Sequence, residues 1–412
     1  MSMRLLPTAA RKAGQPVRGA AIAPAQRIAL ITADAHDTHA AYGAWMGEML
    51  DARHRVLLVA PNFDQPLVDA VHGRGGECEG YELVRGSLSP FDPMKSLRQL
   101  VVSLKEWRPH VVIGVGLRAA VLGALAARRA GGCRIVTVVS GLGPIFHEMP
   151  EGVAVPVFGR AGRRAHRMAV MGLARALKVS DVVAVHNRYD AQLLRTLVPA
   201  VGAIDVVPEP GLDLTRVLPL PLPSTEHGRG LTFALFAPLQ LGRGIEAFCQ
   251  AAHALKADVP GCRFVVAGRT AVASDGGMST VGDALPPGTL EAYAGVVEYV
   301  GDVDPDTILA NTHVVVHPSG YGEGHAKMLS YAMARGRPVI ASWTRAARDL
   351  IDERVNGCFV PPGDAGSLKR AMASFLRRPE LLAAMARASR AKAERMADQN
   401  LAHASLSGFT AM

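Results

Sequence analysis

Nearly uninterrupted apolar runs recur along this chain from residue 27 onward. The first set reads RIALIT (27–32), RVLLVAP (55–61), HVVIGVG (110–116), RIVTVVS (134–140) and DVVAVH (181–186). A strand with one wet face alternates apolar and polar residues, whereas continuous apolar runs fit parallel strands covered on both sides. Stretches of helical periodicity lie between them, such as DPMKSLRQLVVSLKEW (92–107) and LRAAVLGALAARRA (117–130). The alternation predicts a doubly wound, Rossmann-like α/β domain over residues 27–216.

The rhythm breaks at VLPLPLPSTEHGRG (217–230), whose prolines and polar residues predict a linker. It restarts with LTFALFAPL (231–239), CRFVVAG (262–268), VVEYVG (296–301), THVVVHPS (312–319), RPVIAS (337–342) and CFVPPG (358–363). A second Rossmann-like domain over 231–395 follows, facing the first across a cleft. Ligands of such sheets bind outside the carboxyl ends of the strands, so the cleft is where chemistry is expected. From residue 365 the pattern is helical, and the tail over 396–412 can cross back onto the first domain.

Composition narrows the partners. A chain of 412 residues exceeds what one core usually supports, and 49% hydrophobic with 20% charged residues fills two. No apolar run reaches the roughly 18 residues of a spanning helix. The first 26 residues hold Arg and Lys but no acid, and they lack the apolar centre of a secretory signal, which reads as a disordered basic tail. The net charge of +9 suits polyanions. Nucleic acid fits least, because no recognition helix or aromatic-plus-basic sheet motif is present. GRAGRRAHRMAVMGLARALK (159–178) is basic and amphipathic, and it fits equally a salt-bridged surface helix and a helix resting on an anionic membrane. Cys78, Cys133, Cys249, Cys262 and Cys358 lack metal or redox spacing and read as reduced core thiols of a cytoplasmic protein, peripheral to the membrane if it touches one.

The stretch HPSGYGEGHAKMLSYAMARGRPVIAS (317–342) concentrates the candidate chemistry. It reads as a buried strand end, glycines flanking Glu323, a helix running from there to about Ala334, and a second strand. Transfer of a sugar from a nucleotide needs backbone N–H groups and a cation at the leaving diphosphate and a carboxylate near the sugar. Glu323 would serve the sugar, and the amides of Gly324, His325 and Ala326 the diphosphate, with His325 and Lys327 able to add charge. Eight residues of helix rise roughly 12 Å, about the distance from sugar to ribose. The residue at that distance is Tyr331, which offers one hydroxyl or a ring face where a carboxylate would grip both ribose hydroxyls.

The order Glu323, Gly324, Ala332, Met333, Ala334, Gly336, Pro338, Val339 resembles the signature of the retaining GT-B glycosyltransferases of family 4. SLSPFDPMKSLRQL (87–100), RPHVVIGVG (108–116), SGLGPIF (140–146), GLDLTRV (211–217), HPS (317–319) and VNGCFVPPGD (355–364) are similar to segments of its capsule, exopolysaccharide and O-antigen branch, so the resemblance spans roughly 27 to 395. It implies two Rossmann-like domains and no metal or other cofactor. It further implies a UDP- or GDP-linked hexosyl or N-acetylhexosaminyl donor and an acceptor that is a surface glycan or a polyprenyl-diphosphate-linked one. The departures are specific. Tyr331 replaces the second motif glutamate. In FAPLQLGRGIEAF (236–248) Arg243, after Gly242, takes the place of a phosphate-binding lysine, but Pro238 takes that of its arginine partner. Trp343 stands where an acidic or small polar residue is usual.

Each candidate also has a plain structural reading. Glu323 can be a loop acid and Arg243 an exposed helix-start residue. Gly141 and Gly143 can simply make a tight turn, although in the resembling family this turn faces the donor; Gly268, ending its strand run, is grouped with the donor site. His147, just past the turn, is a candidate for the chemistry or a solvated loop residue, and His39 a candidate on the acceptor side. Two further readings compete with transfer. The altered donor residues would suit a catalytically silent binding or assembly partner, and a nucleotide-sugar epimerase would need extra cleft carboxylates that have no clear counterparts.

Overall fold

The computed structural model describes residues 25–83, 91–142, 160–207, 212, 214, 216–224, 230–270, 284–320 and 326–403. The apolar runs become two all-parallel sheets. The first domain comprises β1 (Arg27–Thr32), α1 (Ala35–Asp51), β2 (Arg55–Ala60), α2 (Gln65–His72), β3 (Glu77–Gly80), α3 (Phe91–Trp107), β4 (Val111–Val115), α4 (Leu117–Ala130), β5 (Arg134–Val139), α5 (Arg160–Val179), β6 (Val182–Val185), α6 (Arg188–Leu197) and β7 (Ile204–Val206). Its strand order is β3-β2-β1-β4-β5-β6-β7. Tyr42, Trp45, Met46 and Met49 of α1 cover one face of this sheet, and Leu100, Leu104, Ala119 and Leu122 of α3 and α4 cover the other. That two-sided cover explains why the central strands are apolar throughout.

The second domain comprises β8 (Thr232–Phe236), α7 (Ile245–Asp258), β9 (Arg263–Ala267), β10 (Val297–Tyr299), α8 (Pro305–Leu309), β11 (Val314–His317), α9 (Lys327–Ala334), β12 (Val339–Ser342), α10 (Arg345–Leu350), β13 (Gly357–Val360), α11 (Ala365–Arg377) and α12 (Leu381–His403). Its order is β10-β9-β8-β11-β12-β13. The helix expected to open at Glu323 is described from Lys327, because 321–325 lie outside the described residues.

The connection between the domains is held against the second one by three arginines. Arg335 Nη1 donates to Leu218 O at 2.7 Å, and Arg390 Nη1 to Val217 O at 2.6 Å. Arg337 is fully buried and donates to the carbonyls of Leu309, Leu220 and Pro221 at 3.1, 2.9 and 2.8 Å. Burial pulls its guanidinium down to about 10. Ala393 and Met396 of α12 pack into the second domain's core, and the expected return of the tail over the first domain falls largely beyond His403, outside the described residues. All five cysteines are free thiols. No helix among the described residues is long and apolar enough to cross a membrane.

Candidate functional site

In the second sheet β8 and β11 lie side by side, and the chain leaves them in opposite directions, toward β9 and β10 or toward β12 and β13. Their carboxyl ends therefore flank a topological switch point, where open α/β sheets bind ligands. Three glycines let the loops meet there. Gly268 has φ 152°, and a Cβ on it would lie 1.9 Å from Ala237 O. Gly244 has φ 78°, and a Cβ would lie 2.3 Å from Pro318 O. Gly242, also at φ 78°, accepts a hydrogen bond from Gly320 N at 3.0 Å, which ties the loop after β8 to the loop after β11. Arg243 sits between two of these glycines, half-buried, with its Nε 3.5 Å from Gln240 Oε1. Pro238, which offers no charge, is half-buried two residues beyond the end of β8.

The helix caps mark the same place. Asp64, Asn187, Asp304, Thr344 and Asp364 cap α2, α6, α8, α10 and α11 with side-chain oxygens. Gly244 and Ala326 give α7 and α9 no side-chain cap, and Gly116 gives none to α4. These three helices follow β8, β11 and β4, and β4 borders the first sheet's own switch point beside β1. Backbone N–H groups at the starts of α7 and α9 are thus left by their own side chains for another acceptor, with helix dipoles that favour an anion. Ala326 is buried, and Lys327 is exposed in the first turn of α9.

Across the cleft, the first domain contributes a group that the sequence reading missed. His186 follows β6 and is 6% exposed. Its Nδ1 lies 2.8 Å from Val207 O, which can only accept, so Nδ1 carries the proton. Nε2 then accepts from the Tyr42 hydroxyl at 2.7 Å. Burial pushes this imidazole down to about 4 against the opposing pull of the Val207 carbonyl, and the Lys327 ammonium of the second domain adds to the lowering. A neutral, doubly bonded histidine makes a fixed polar wall near Lys327. Its only sequence signal was a polar His-Asn pair ending an apolar run.

His39 lies half-buried on α1, and its Nδ1 has no hydrogen-bond partner among the described residues. Near it, Asn62 Nδ2 donates to Asp34 Oδ2 and Ala35 N donates to Asn62 Oδ1, both at 3.0 Å, which fixes the turn from β1 into α1. Gly141 has φ 153°, a region that favours glycine in the turn after β5. Gly143, His147, Glu323, Gly324 and His325 lie outside the described residues.

Tyr331 is half-buried, and its hydroxyl donates to Asp306 Oδ1 at 2.8 Å. The Arg335 guanidinium pairs with the same carboxylate, donates to the Tyr331 oxygen at 3.2 Å, and lies 5.4 Å from the tyrosine ring centre. Burial raises the tyrosine's pKa, and Asp306 adds to the effect while Arg335 opposes it. Trp343 is 53% exposed and lies beside Arg348 and Phe359, with ring-centre distances of 5.4 and 5.0 Å. Arg348 also covers Tyr189 of α6 at 5.4 Å, so the tryptophan belongs to the seam between α6 and α10. In that seam Arg345 Nε donates to Asp190 Oδ1 at 2.6 Å, with side chains 6% and 0% exposed. Arg188 bridges to Asp349 at 2.7 Å. Among the described residues no group of three or more His, Cys, Asp or Glu side chains is placed to hold a metal ion.

Comparison with known proteins bears on the family and the fold. The profile described as Glycosyltransferase Family 4 matches residues 45–216, and the one described as Glycosyl transferases group 1 matches 233–378. No curated protein gives a significant sequence match. Among solved structures, sucrose-phosphate synthase from Thermosynechococcus elongatus superposes with a TM-score of 0.69 at 18% identity, over 92% of this chain and 98% of that one. A glycosyltransferase from Rickettsia africae gives 0.65 at 14% identity, over 94% and 99%. HepE from Anabaena, in complex with UDP, gives 0.63 at 16% identity, over 92% and 98%. At these identities the structural likeness speaks for the fold, which is GT-B.

Proposed function

The chain belongs to the group 1, family 4 glycosyltransferases of GT-B fold, and from that premise we propose that it moves a hexosyl or N-acetylhexosaminyl group from a UDP- or GDP-linked donor, with retention and without a metal, to a surface glycan or polyprenyl-diphosphate-linked acceptor at a membrane face. The observation that carries this reading is the pair of helix starts without side-chain caps, α7 and α9, on either side of the β8/β11 switch point. Five other described helices, α2, α6, α8, α10 and α11, spend an Asp, Asn or Thr on their first N–H groups. Here a diphosphate would take those donors, with Arg243 and Lys327 supplying charge. Glu323, Gly324 and His325, between the β11 loop and Ala326, would reach the sugar and its leaving phosphate, and the departing phosphate oxygen would take the acceptor's proton. Gly268 and Gly242 hold the loops close. Gly141, Gly143, His147 and His39 would form the opposite wall. A uracil nucleotide is supported by the UDP complex of the similar HepE fold.

A second reading keeps the fold and drops the chemistry: a silent binding partner of a glycan pathway. It is favoured by Tyr331, whose hydroxyl is engaged by Asp306 and Arg335, and by Pro238 in place of a cation. Thermal stabilisation by UDP, GDP, ADP and CMP separates the two. A nucleotide at a hundred times its Kd should add about 2.7 kcal/mol. Arg243→Ala should weaken binding by about 1.5–3 kcal/mol, the range for a hydrogen bond to a charged group. A flat panel at millimolar concentration refutes the enzyme reading.

A further inference from the structure

Tyr331 stands on the outward stripe of α9, where Lys327 and Tyr331 are followed, just past the helix end, by Arg335 at the same four-residue interval. Leu329, Ser330, Ala332, Met333 and Ala334 turn the other way and are buried. The stripe looks toward α8, because the Tyr331 hydroxyl and the Arg335 guanidinium both meet Asp306. On that side of the switch point lie β9 and β10, and their outgoing loops are tied together. Gly268 N donates to Gly301 O at 2.8 Å, and the Tyr299 hydroxyl donates to Gly268 O at 2.9 Å. A nucleotide with its diphosphate at the start of α9 and its base toward these loops runs along the stripe. Four residues of helix rise about 6 Å, which brings its sugar to Tyr331.

Sites that select ribose set a carboxylate against its hydroxyls. The carboxylate beside Tyr331 is Asp306, and it is already engaged. Its Oδ1 accepts from the Tyr331 hydroxyl and from Arg335 Nε, both at 2.8 Å, and its Oδ2 accepts from Arg335 Nη2. Three of the roughly four acceptor positions of a carboxylate are thereby filled. Tyr331 has spent its one proton on Asp306, and its oxygen takes Arg335 Nη2 at 3.2 Å. The ring is what it has left to offer, an apolar face that suits a methylene better than a hydroxyl.

We propose that Tyr331 makes the donor site indifferent to the ribose 2′-hydroxyl, so that 2′-deoxyribonucleoside diphosphates, and the sugars they carry, bind at least as well as their ribonucleotide counterparts. This rests on the donor reading above and adds a substrate class to it. A site built around a hydroxyl rejects the analogue that lacks it because its own polar groups are stranded. Groups that already satisfy one another have nothing to strand.

The test is titration calorimetry of the full-length protein with UDP and dUDP, GDP and dGDP, and dTDP. For the base that binds, the Kd of the deoxy form should be lower than that of the ribo form or within about threefold of it. Tyr331→Phe and Asp306→Asn should leave that ratio unchanged, whatever they do to stability, since both nucleotides are measured on the same protein. A deoxy form that binds more weakly than this overturns the inference and leaves the donor reading intact; the loss of one hydrogen bond to a charged group would make the difference about tenfold or more. Either variant weakening the ribonucleotide selectively overturns it as well, because its side chain then reads the hydroxyl. A protein that binds no nucleotide of either kind refutes the donor reading and this inference with it.

Discussion

The pair Asp190 and Arg345 is a buried ion pair between the two domains, and Arg345→Met isolates it. Asp190 is fully buried; one carboxylate oxygen takes Arg345 Nε at 2.6 Å and the other takes Asn187 Nδ2 at 2.8 Å. Removing the guanidinium takes the Arg345 cation away from a buried carboxylate. Two unit charges about 4 Å apart at an effective dielectric of about 20 interact by about 4 kcal/mol, and breaking such pairs typically costs about 3–5 kcal/mol. The partners lie on α6 and α10, so the loss can be relieved by opening the seam to water, at the expense of coupling between the domains. Chemical unfolding followed by tryptophan fluorescence reads both, because Trp45 and Trp107 report on the first domain and Trp343 on the second. Arg345→Met should lower the midpoint and separate the signals of the two domains. Asp190→Asn/Arg345→Met should recover most of the loss, since no charge is then stranded. A single-variant cost below about 1 kcal/mol, or a double variant no better than Arg345→Met, would falsify the reasoning.

Three further outcomes follow from the geometry. The folded pKa of His186 lies near 4 and its ordinary value at 6.5, so the unfolded chain takes the proton first as pH falls. Stability is therefore complete above about pH 6.5 and is lost progressively toward pH 4, by about 2 kcal/mol at pH 5, whereas His186→Gln should show that much less loss between pH 7 and 5 in thermal midpoints. Gly268→Ala should cost several kcal/mol because of the 1.9 Å approach to Ala237 O, while Gly288→Ala, at φ 84° in open space, should cost about 1 kcal/mol; equal midpoints would contradict the close-approach argument. Arg337→Leu should lower stability by about 3 kcal/mol or more and expose 217–222 to proteolysis, and Arg337→Lys should not rescue it, because an ammonium cannot span three carbonyls as the guanidinium fork does.

Burial decides what could be read from the chain. Strands covered on both faces, such as β1 and β4, are apolar throughout and visible by inspection. The edge strands β3 and β7 were missed. Glu77–Gly80 reads ECEG, with no apolar signal, and becomes a strand by pairing with β2, where Leu57 faces Glu77 and Ala60 faces Gly80. Ile204–Val206 is short and two of its three residues are exposed. Gly242, Gly268 and Arg243 could be named as candidates from the sequence because a loop between strand and helix keeps its residues local, whereas Gly244, where a Cβ would meet Pro318 O, was not. The wall formed by Tyr42 and His186 was not, since its members are 144 residues apart, and neither was the pair Asp190 and Arg345, 155 residues apart. Such partners become visible only when parallel crossovers bring distant strand ends to one edge.

Tyr331 shows why a single substitution in a motif is hard to interpret from sequence. Read alone, it is a lost carboxylate. In the fold its hydroxyl meets Asp306, 25 residues earlier at the start of α8, and Arg335, one helical turn later, clamps the same carboxylate while donating to Leu218 O of the linker. The residue thereby joins three pieces, α9, α8 and the chain leading from the first domain. An acid at 331 would face Asp306 as a like charge and leave Arg335 divided between two carboxylates, so tyrosine at 331 and aspartate at 306 are a matched choice. Tyrosine at 331 adds a brace for the helix whose first turn carries Lys327. Whether the donor is held less tightly therefore depends on what α9 presents at its N-terminal end, and that end keeps its N–H groups without a side-chain cap.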